Sequence, residues 1–387
     1  MRILWPLLRL LCAAVFFAGA LLVVVPAPNM PLFHVEVLVT EFGHWLFLLP
    51  LFLAFLPAAR TPINCFGTAL ALLSSMLLVS SAIRASAVAR RLPEELARAF
   101  PAGSSGKESE QSVSSTPFSW KRLWFPPPVT PVSVEQCVYA HHGDETLKLL
   151  LYRQANSSPT PCVIAVHGSR WINGNAAECA TFNHYLAGRG YAVAAIEYRP
   201  PPRWTWPAQR DDVLDAIDYL QEHASELGID PRRIVLLGRS TGGQIVEAVA
   251  YGTHVAGLRG CIAFYAPADM HYAYERARKG DVLNAPQLVS QYLGGAPTEA
   301  RANYDSASGI LLANREGPPT LILHGRRDEL VRCQQSDRLC ARLESIGTPH
   351  YFVRLPWATH AFDLNFNGPG GQISTYAVET FLRAVTR

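Results

Sequence analysis

Apolar side chains dominate the first 84 residues, and they leave no polar face. The fixed charges of this region are Arg2, Arg9, Glu36, Glu41, Arg60 and Arg84. Three apolar runs lie among them, at 10–25, 42–59 and 62–83. A helix needs about 20 apolar residues to cross the hydrocarbon core of a bilayer, so the third run is long enough and the others are close to the limit. The pattern predicts three transmembrane helices and an all-α membrane region at residues 1–84.

The first apolar run has an alternative interpretation as a cleaved signal peptide. Arg2 and Arg9 precede it, and it contains the small residues 18–20. The run continues through Val25 and two further runs follow, which favours a retained helix. Arg60, between the second and third runs, would share a side with the N-terminus. Three spans then favour an internal N-terminus and an extracytoplasmic C-terminal domain.

Residues 85–131 have the pattern of a connection. Within 85–100, apolar residues recur at intervals of four among Arg and Glu: Val88, Leu92, Leu96 and Phe100. This amphipathic segment is expected either to lie on the membrane surface or to form a solvated helix. Residues 101–131 are rich in Ser, Gly and Pro, which indicates a linker. The aromatic and basic cluster at 118–125 would pack on the next domain or anchor at the membrane interface.

From residue 132 to 387, short apolar strands alternate with helices. Strands are predicted at 134–140, 147–153, 161–167, 191–197, 233–237, 260–265, 320–324 and 350–355. Helical patterns occupy 178–188, 208–223 and 241–251. Short continuous apolar runs are typical of strands buried on both faces. The alternation therefore predicts a single α/β domain, with a mostly parallel sheet flanked by helices.

The composition narrows the possible functions. Hydrophobic residues make up 49% of the chain and charged residues 17%, against about 25% charged in soluble proteins, which disfavours disorder and coiled coils. A net charge of +3 leaves no excess for binding a phosphate backbone, so no nucleic-acid partner is expected. The eight cysteines show neither CxxC pairs nor zinc-ligand spacing, so we expect no disulfide framework and no metal.

A Gly-x-Ser-x-Gly sequence at 238–242 joins a predicted strand to a predicted helix. A serine on so tight a turn points its hydroxyl away from the sheet, and the flanking glycines let neighbouring backbone pass. The dipole of the following helix favours developing negative charge. Ser240 is therefore the predicted nucleophile.

A serine hydroxyl becomes a nucleophile only when a base takes its proton and a carboxylate orients that base. Asp328 and His360 each follow a predicted strand downstream of Ser240, in the chain order of one particular hydrolase fold. We predict that the three form a catalytic triad, with Asp363 and Glu329 as alternatives for the carboxylate. Two other histidines, at strand ends, are interpreted as structural: His324 and His350.

The tetrahedral intermediate also requires backbone N–H donors for its oxyanion. Each such donor contributes roughly 3 kcal/mol or more. One is expected from Thr241, directly after the predicted nucleophile. The others are expected from Ser169 and Arg170, in the loop after the strand at 161–167.

Residues from about 134 to 387 resemble the α/β-hydrolase fold, and more narrowly its hormone-sensitive-lipase-like and feruloyl-esterase-like branch. The resemblance rests on the Gly-x-Ser-x-Gly turn, Tyr198-Arg199, the Trp-Pro-Ala string at 206–208 with Asp212, and the string at 228–234. It implies hydrolysis of carboxylic esters through an acyl-enzyme, without a cofactor. It also implies a small cap at about 270–315 that shapes the substrate pocket.

Two positions depart from that family's pattern. Its His-Gly-Gly-Gly loop appears here as His167-Gly168-Ser169-Arg170, so the backbone donors survive but two glycines are lost. If the loop requires positive φ, Ser169 is strained. The side chain of Arg170 either faces solvent or reaches the pocket, where it would favour an acidic substrate. Arg239 precedes the serine, where an acidic or small residue is more familiar, and we derive no specificity from it.

Together these patterns predict a membrane-anchored serine hydrolase whose partners are a small or lipophilic ester and membrane lipid. Two alternatives stay open. The same triad serves peptidases and membrane acyltransferases, since the chemistry up to the acyl-enzyme is shared. The second alternative is a non-catalytic membrane scaffold, although a complete triad argues against it. The sequence leaves the oligomeric state and the natural ester undefined.

Overall fold

The structure is a computed structural model that describes residues 4–101, 116–128, 130–154, 159–168, 170–171, 174–276 and 283–387. Its helices are α1 (Leu4–Leu21), α2 (Met30–Glu41), α3 (Gly43–Leu46), α4 (Leu48–Phe55), α5 (Pro62–Ala99), α6 (Trp120–Trp124), α7 (Ala180–Gly188), α8 (Ala208–Glu222), α9 (Ala224–Leu227), α10 (Thr241–Gly252), α11 (Met270–Glu275), α12 (Ala285–Leu293), α13 (Arg301–Ser306), α14 (Gly309–Leu312), α15 (Gln334–Ile346) and α16 (Pro369–Val385). Its strands are β1 (Ser133–His142), β2 (Glu145–Arg153), β3 (Thr160–Val166), β4 (Ala192–Ile196), β5 (Ile229–Arg239), β6 (Leu258–Phe264), β7 (Thr320–Gly325) and β8 (His350–Leu355).

The strands form one sheet in the order β1-β2-β4-β3-β5-β6-β7-β8. β1, β2 and β4 pair antiparallel, whereas the pairs from β4 to β8 are parallel. The prediction of a mostly parallel sheet flanked by helices is confirmed. After β3 the chain moves to β4 on one side, and β5 then returns to the other side of β3. Such a reversal leaves a crevice beyond the carboxyl ends of the strands, where ligands of open α/β sheets bind.

The core lies on both faces of the sheet because successive strand residues point to opposite sides. Ile164 and Leu236 belong to one fully buried apolar layer, which α8 and α10 cover. Val163 and Val235 belong to the other layer, which α7 and α16 cover. This burial on both faces explains why the central strands read as continuous apolar runs rather than as alternating patterns.

Helix α5 is longer than a membrane span requires. Its 38 residues extend about 57 Å, whereas the hydrocarbon core is about 30 Å thick. Leu92 and Leu96, in its C-terminal half, are fully buried in the apolar layer that also contains Phe381 of α16. The structure thus differs from both expectations for residues 85–100, because this segment packs on the α/β domain. The boundary predicted at residue 84 falls inside one continuous helix.

The predicted second span is not a straight helix. α1 and α5 are long and apolar enough to cross a membrane, whereas α2 and the segment 43–55 form a pair bent by 75°. At the bend, Gly43 lies against α5, where a Cβ would be 2.2 Å from the carbonyl oxygen of Leu78. Only glycine permits that approach, so the chain turns where it meets α5. The three predicted spans correspond to two straight candidate helices and one bent pair.

Arg9 links α1 to the rest of the membrane region. Its side chain is buried and donates hydrogen bonds to the carbonyl oxygens of Leu53, Ala54 and Asn64 and to the hydroxyl of Thr68. These bonds join α1 to carbonyl groups near the end of α4 and in the first turn of α5. α1 is therefore packed against α4 and α5, and whether it is retained stays a prediction.

The aromatic and basic cluster at 118–125 contains α6 and contacts both parts of the chain. Phe118 and Leu123 are buried against the α/β domain. The ring of Trp124 lies 4.5 Å from that of Trp45 in α3. Phe125 stays exposed. Trp120 and Lys121 are exposed as well, so only part of the cluster packs between the N-terminal helices and the sheet.

Candidate active site

Ser240 occupies the sharp turn between β5 and α10. Its φ is 52° and its ψ is −118°, a conformation that is strained for a residue with a side chain. A Cβ at Gly238 would lie 2.2 Å from the carbonyl oxygen of Gly242, and a Cβ at Gly242 would lie 2.3 Å from that of His167. Both glycines are therefore required by close backbone contact. The turn brings the serine to the crevice at the carboxyl end of β5.

The structure brings the three residues of the predicted triad into one hydrogen-bonded chain. His360 Nε2 lies 2.9 Å from Ser240 Oγ, and His360 Nδ1 lies 2.6 Å from Asp328 Oδ2. Asp328 Oδ1 accepts hydrogen bonds from the backbone N–H groups of Leu330 and Val331. In the tautomer with Nδ1 protonated, the imidazole accepts from the serine hydroxyl and donates to the carboxylate. This is the geometry that general-base activation of a serine requires.

A second histidine also contacts the carboxylate of Asp328. His324 Nε2 lies 2.8 Å from the carbonyl oxygen of Val331 and 3.2 Å from Asp328 Oδ2. Because a carbonyl only accepts, this nitrogen carries the proton, and Nδ1 accepts from the hydroxyl of Ser336 at 2.7 Å. Burial raises the pKa of Asp328, but the electrostatic attraction and hydrogen bonds of the His360 and His324 N–H groups outweigh it and lower that pKa to about 2. No local pattern around His324 indicates this contact with Asp328.

The loop after β3 passes directly over the serine. A Cβ at Gly168 would lie 3.3 Å from Ser240 Cβ. Arg170 and Trp171 have φ values of 59° and 61°, so the loop does adopt positive φ where the resembled family has glycine. Ser169, which we predicted to be an oxyanion donor and to carry strain, lies outside the described residues. Arg170 and Thr241 both line the cavity that contains Ser240, and their role as oxyanion donors stays a prediction.

Trp171 holds this loop in place. Its ring stacks on Tyr292 of α12 at 4.3 Å, and its Nε1 donates to Gln244 Oε1 at 3.1 Å. The backbone N–H of Trp171 lies 3.4 Å from the hydroxyl oxygen of Thr241. The buried side chain of Trp171 therefore connects the loop after β3 with α10 and with α12 of the predicted cap. Sequence reasoning missed Trp171, since its position one residue beyond the four-residue motif carries no signal.

Asp363, an alternative for the triad carboxylate, has a different role. Its Oδ2 accepts from Arg239 Nε at 2.6 Å and its Oδ1 accepts from the hydroxyl of Tyr265 at 2.7 Å. The ring of Tyr265 in turn lies 4.4 Å from the imidazole of His360. Arg239 is thus explained as the buried partner of Asp363. Asp328, and not this residue, lies within hydrogen-bond distance of His360.

Ser240 and His360 open into a cavity of about 990 Å³. Its walls come from several parts of the chain. The loop after β3 contributes Arg170 and Trp171, and the segment predicted as a cap contributes apolar residues of α11 and α12. The membrane region contributes residues from the connection between α1 and α2 and from the start of α2. Glu329, the other alternative carboxylate, also lines this cavity.

Within the described part of the chain, the group of side chains closest to a metal-binding arrangement is on the β1 edge of the sheet. It comprises His142, Asp212 and Asp215. His142 already bonds Asp215 at 2.7 Å, and Asp212 pairs with Arg199 at 2.6 Å. These ligand atoms are engaged with one another and lie on a different edge from Ser240, so the group does not indicate a catalytic metal.

The geometry can be compared with known proteins. A family model described as BD-FAE matches residues 149–343, just over half of the chain. The chain belongs to this family. The BD-FAE match begins in β2 and ends in α15, so it includes Ser240 and Asp328 and stops before His360.

Similar proteins agree with BD-FAE membership. Over 273 residues the chain is 29% identical to the probable carboxylic ester hydrolase LipM of Mycobacterium tuberculosis, covering 64% of this chain and 62% of LipM. It is 28% identical over 231 residues to an ethyl acetate hydrolase of Pseudomonas putida, covering 56% of this chain and 71% of that protein. The chain thus spans less than two thirds of LipM. Both relatives are named as ester hydrolases, in agreement with the prediction of an ester-cleaving hydrolase.

The fold itself is shared with solved esterase structures. A bacterial heroin esterase superposes with a TM-score of 0.56 over 66% of this chain and 85% of its own, at 23% identity. The carboxyl esterase TmelEST2 from the fungus Tuber melanosporum superposes with the same TM-score over 68% of this chain and 90% of its own, at 18% identity. These likenesses confirm the α/β-hydrolase fold predicted from the sequence.

Proposed function

We propose that this BD-FAE protein is a membrane-anchored serine hydrolase that cleaves carboxylic esters through an acyl-enzyme on Ser240. The observation that carries the proposal is the hydrogen-bonded chain from Ser240 through His360 to Asp328, at the mouth of a large cavity. The ester hydrolases among its relatives support the same reaction class.

The reaction follows from the positions of these groups. His360 Nε2 takes the proton of Ser240 Oγ as the oxygen attacks the ester carbonyl, and Asp328 holds the imidazole and stabilises its positive charge. The backbone N–H groups of Arg170 and Thr241, with that of Ser169, are the proposed donors to the oxyanion. His360 then gives its proton to the leaving alcohol. Water, deprotonated by His360, attacks the acyl-enzyme, releasing the carboxylic acid and restoring the serine.

The membrane attachment is proposed to use α1 and α5, with the bent pair of α2 and the segment 43–55 between them. Both long helices have a mean hydropathy of 1.9 in their most apolar windows. The charge distribution around the spans favours an internal N-terminus and an extracytoplasmic catalytic domain. A reporter fused after Arg387 tests this orientation, since a cytoplasmic signal contradicts it.

The activity is tested on the full chain in detergent micelles with p-nitrophenyl butyrate. Ser240→Ala is expected to lower kcat by about 10⁴-fold or more. Ser345→Ala, at an exposed serine of α15, is the matched control and should behave like the wild type. Turnover of peptide anilides without turnover of esters would indicate a peptidase instead. Labelling of Ser240 by a fluorophosphonate without hydrolysis of any ester would indicate acyl transfer.

A further inference from the structure

We propose that the substrate is an amphiphilic ester whose long apolar chain resides in the bilayer, and that the membrane region itself forms the wall that selects it. The α1–α2 loop (residues 22–29) and the first turns of α2 are the parts concerned. This inference rests on the proposed esterase function and specifies the substrate class of the same site.

The α1–α2 loop belongs to the active-site cavity. Pro26, Ala27 and Pro28 of the loop line the cavity that holds Ser240 and His360. Met30 and His34 of α2 line it as well. Since residues four apart lie on the same face of a helix, α2 presents one continuous stripe to the cavity. A ligand that extends through the cavity from Ser240 therefore contacts the membrane region.

The loop is held in position by buried polar contacts with the catalytic domain. Arg327 donates to the carbonyl oxygens of Leu22 and Val23 and pairs with Glu36 Oε1 at 2.9 Å. The other oxygen of Glu36 accepts from the backbone N–H of Ala27 at 3.0 Å, and the Glu36 side chain is fully buried. Arg327 precedes the triad carboxylate directly in the chain. The cavity wall and the triad are thus fixed to one another.

The depth of the loop places it near the membrane boundary. Leu78 of α5 packs in the same apolar cluster as Val23 of the loop and Phe33 of α2. It lies sixteen residues after Pro62, which corresponds to about 24 Å along the helix, against a hydrocarbon thickness of about 30 Å. The apolar run of α5 ends just beyond, before Arg84. The loop therefore lies where the bilayer ends and the catalytic domain begins.

The cavity has charged lining residues, such as Glu178, Glu329 and Arg332, but its size and the apolar part of its lining suit a long apolar chain. Its volume of about 990 Å³ is at the upper end of the range of about 300–1,000 Å³ for small-molecule sites. Besides Met30, the apolar residues Leu288, Val289, Leu330 and Leu364 line the cavity. Val24, Val25, Leu32, Val35 and Leu38, on the outer side of the same loop and helix, are exposed apolar residues. An ester reaching the cavity from lipid thus keeps its chain in apolar surroundings.

The test uses the full chain in phosphatidylcholine vesicles with two substrates. p-Nitrophenyl palmitate is incorporated in the bilayer, and p-nitrophenyl acetate is supplied in water. Met30→Trp, which narrows the cavity at the membrane side, is expected to lower kcat/KM for the palmitate at least tenfold and to leave that for the acetate within twofold. Leu32→Trp, an equal substitution at an exposed α2 residue outside the lining, should change neither value.

The outcomes separate this inference from the proposed function. The inference is overturned if Met30→Trp loses both activities to the same extent. It is also overturned if the wild-type protein hydrolyses the acetate but not the palmitate. Either result leaves the esterase proposal standing. Failure of the wild type with both esters overturns the proposed function itself. The rate of fluorophosphonate labelling of Ser240 reports folding, and if Met30→Trp loses it, His34→Trp serves as the second variant with the same expected split.

Discussion

Replacing Arg239 with methionine is expected to destabilise the catalytic domain strongly, because it leaves a buried carboxylate without its cation. The side chains of Arg239 and Asp363 are only 7% and 6% exposed, and their closest atoms are 2.6 Å apart. After the change, the hydroxyl of Tyr265 is the hydrogen-bond donor left to Asp363. Removing one partner of such a buried pair costs about 3–5 kcal/mol.

The double variant Arg239→Met with Asp363→Leu should recover much of this loss. Replacing both members of a buried pair with apolar residues of similar volume is often neutral or stabilising by about 1–4 kcal/mol. Part of the loss persists, because the guanidinium also lies 4.7 Å from the rings of Phe182 and Phe264, and cation–π contacts contribute about 2 kcal/mol or less. The double variant is therefore expected to be more stable than Arg239→Met alone.

Thermal unfolding of the full chain in detergent, followed by tryptophan fluorescence, measures both effects. For a domain of about this size, 1 kcal/mol shifts the Tm by about 2–4 °C, so Arg239→Met should lower it by about 6–20 °C. Arg203→Met, in the exposed ion pair with Asp144, is the control and should cause no measurable shift. A double variant less stable than Arg239→Met would refute the argument, since it would mean that the carboxylate is not destabilised by losing its partner.

Three further predictions concern the site. Asp328→Asn should lower kcat/KM for p-nitrophenyl butyrate by about 10⁴-fold. Asp363→Asn keeps a polar group beside Arg239, so its kcat/KM should stay within about tenfold of the wild type. A larger loss in Asp363→Asn than in Asp328→Asn would make Asp363 the triad carboxylate. Arg170→Val should unfold at a lower temperature than Arg170→Gly, because φ at this position is 59° and β-branched residues tolerate positive φ least. Equal Tm values for the two variants would contradict backbone strain in the loop. The depressed pKa of Asp328, about 2 against an ordinary 3.8, predicts stability that is fully present above about pH 4 and is lost as the pH falls toward 2. Urea unfolding at pH 2 to 5 should show this acid loss in the wild type, and the loss should be weaker in Asp328→Asn.

The sheet could be predicted from the sequence because its central strands are buried on both faces. Residues such as Ile164 and Val163 point in opposite directions, yet both must be apolar, so the strand is visible as a continuous run. The sharp turn at Ser240 could be predicted because close backbone contacts require glycine at 238 and 242. A Cβ added there would lie 2.2 and 2.3 Å from backbone oxygens. Both signals are local in the chain, and both predictions of fold agree with the structure.

The features that the sequence did not predict depend on long-range pairing. In the sequence, Glu36 is one of the few charged residues of an apolar region, and Arg327 is one of two arginines that precede the predicted carboxylate Asp328. Their contact joins residues 291 positions apart, and nothing local in either segment indicates it. The same holds for Arg239, whose partner Asp363 is 124 positions away. The close approach of Gly43 to Leu78 of α5, beside the bend between α2 and the segment 43–55, is likewise a long-range contact that residues 42–59 alone do not indicate.

The membrane region and the catalytic domain are consequently one mechanical unit. α5 runs without interruption from the apolar segment that begins at Pro62 to Ala99, and its buried residues Leu92 and Leu96 fix the catalytic domain to the end of the helix. Burying two such leucines contributes about 3–6 kcal/mol, which is enough to oppose free rotation about the connection. At the other end of the interface, Arg327 binds the α1–α2 loop. Glu41 at the end of α2 adds a third attachment, since it accepts hydrogen bonds from Asn365 and Gly370. These separate attachments hold the N-terminal helices against the α/β domain, and residues of α2 accordingly line the cavity of Ser240.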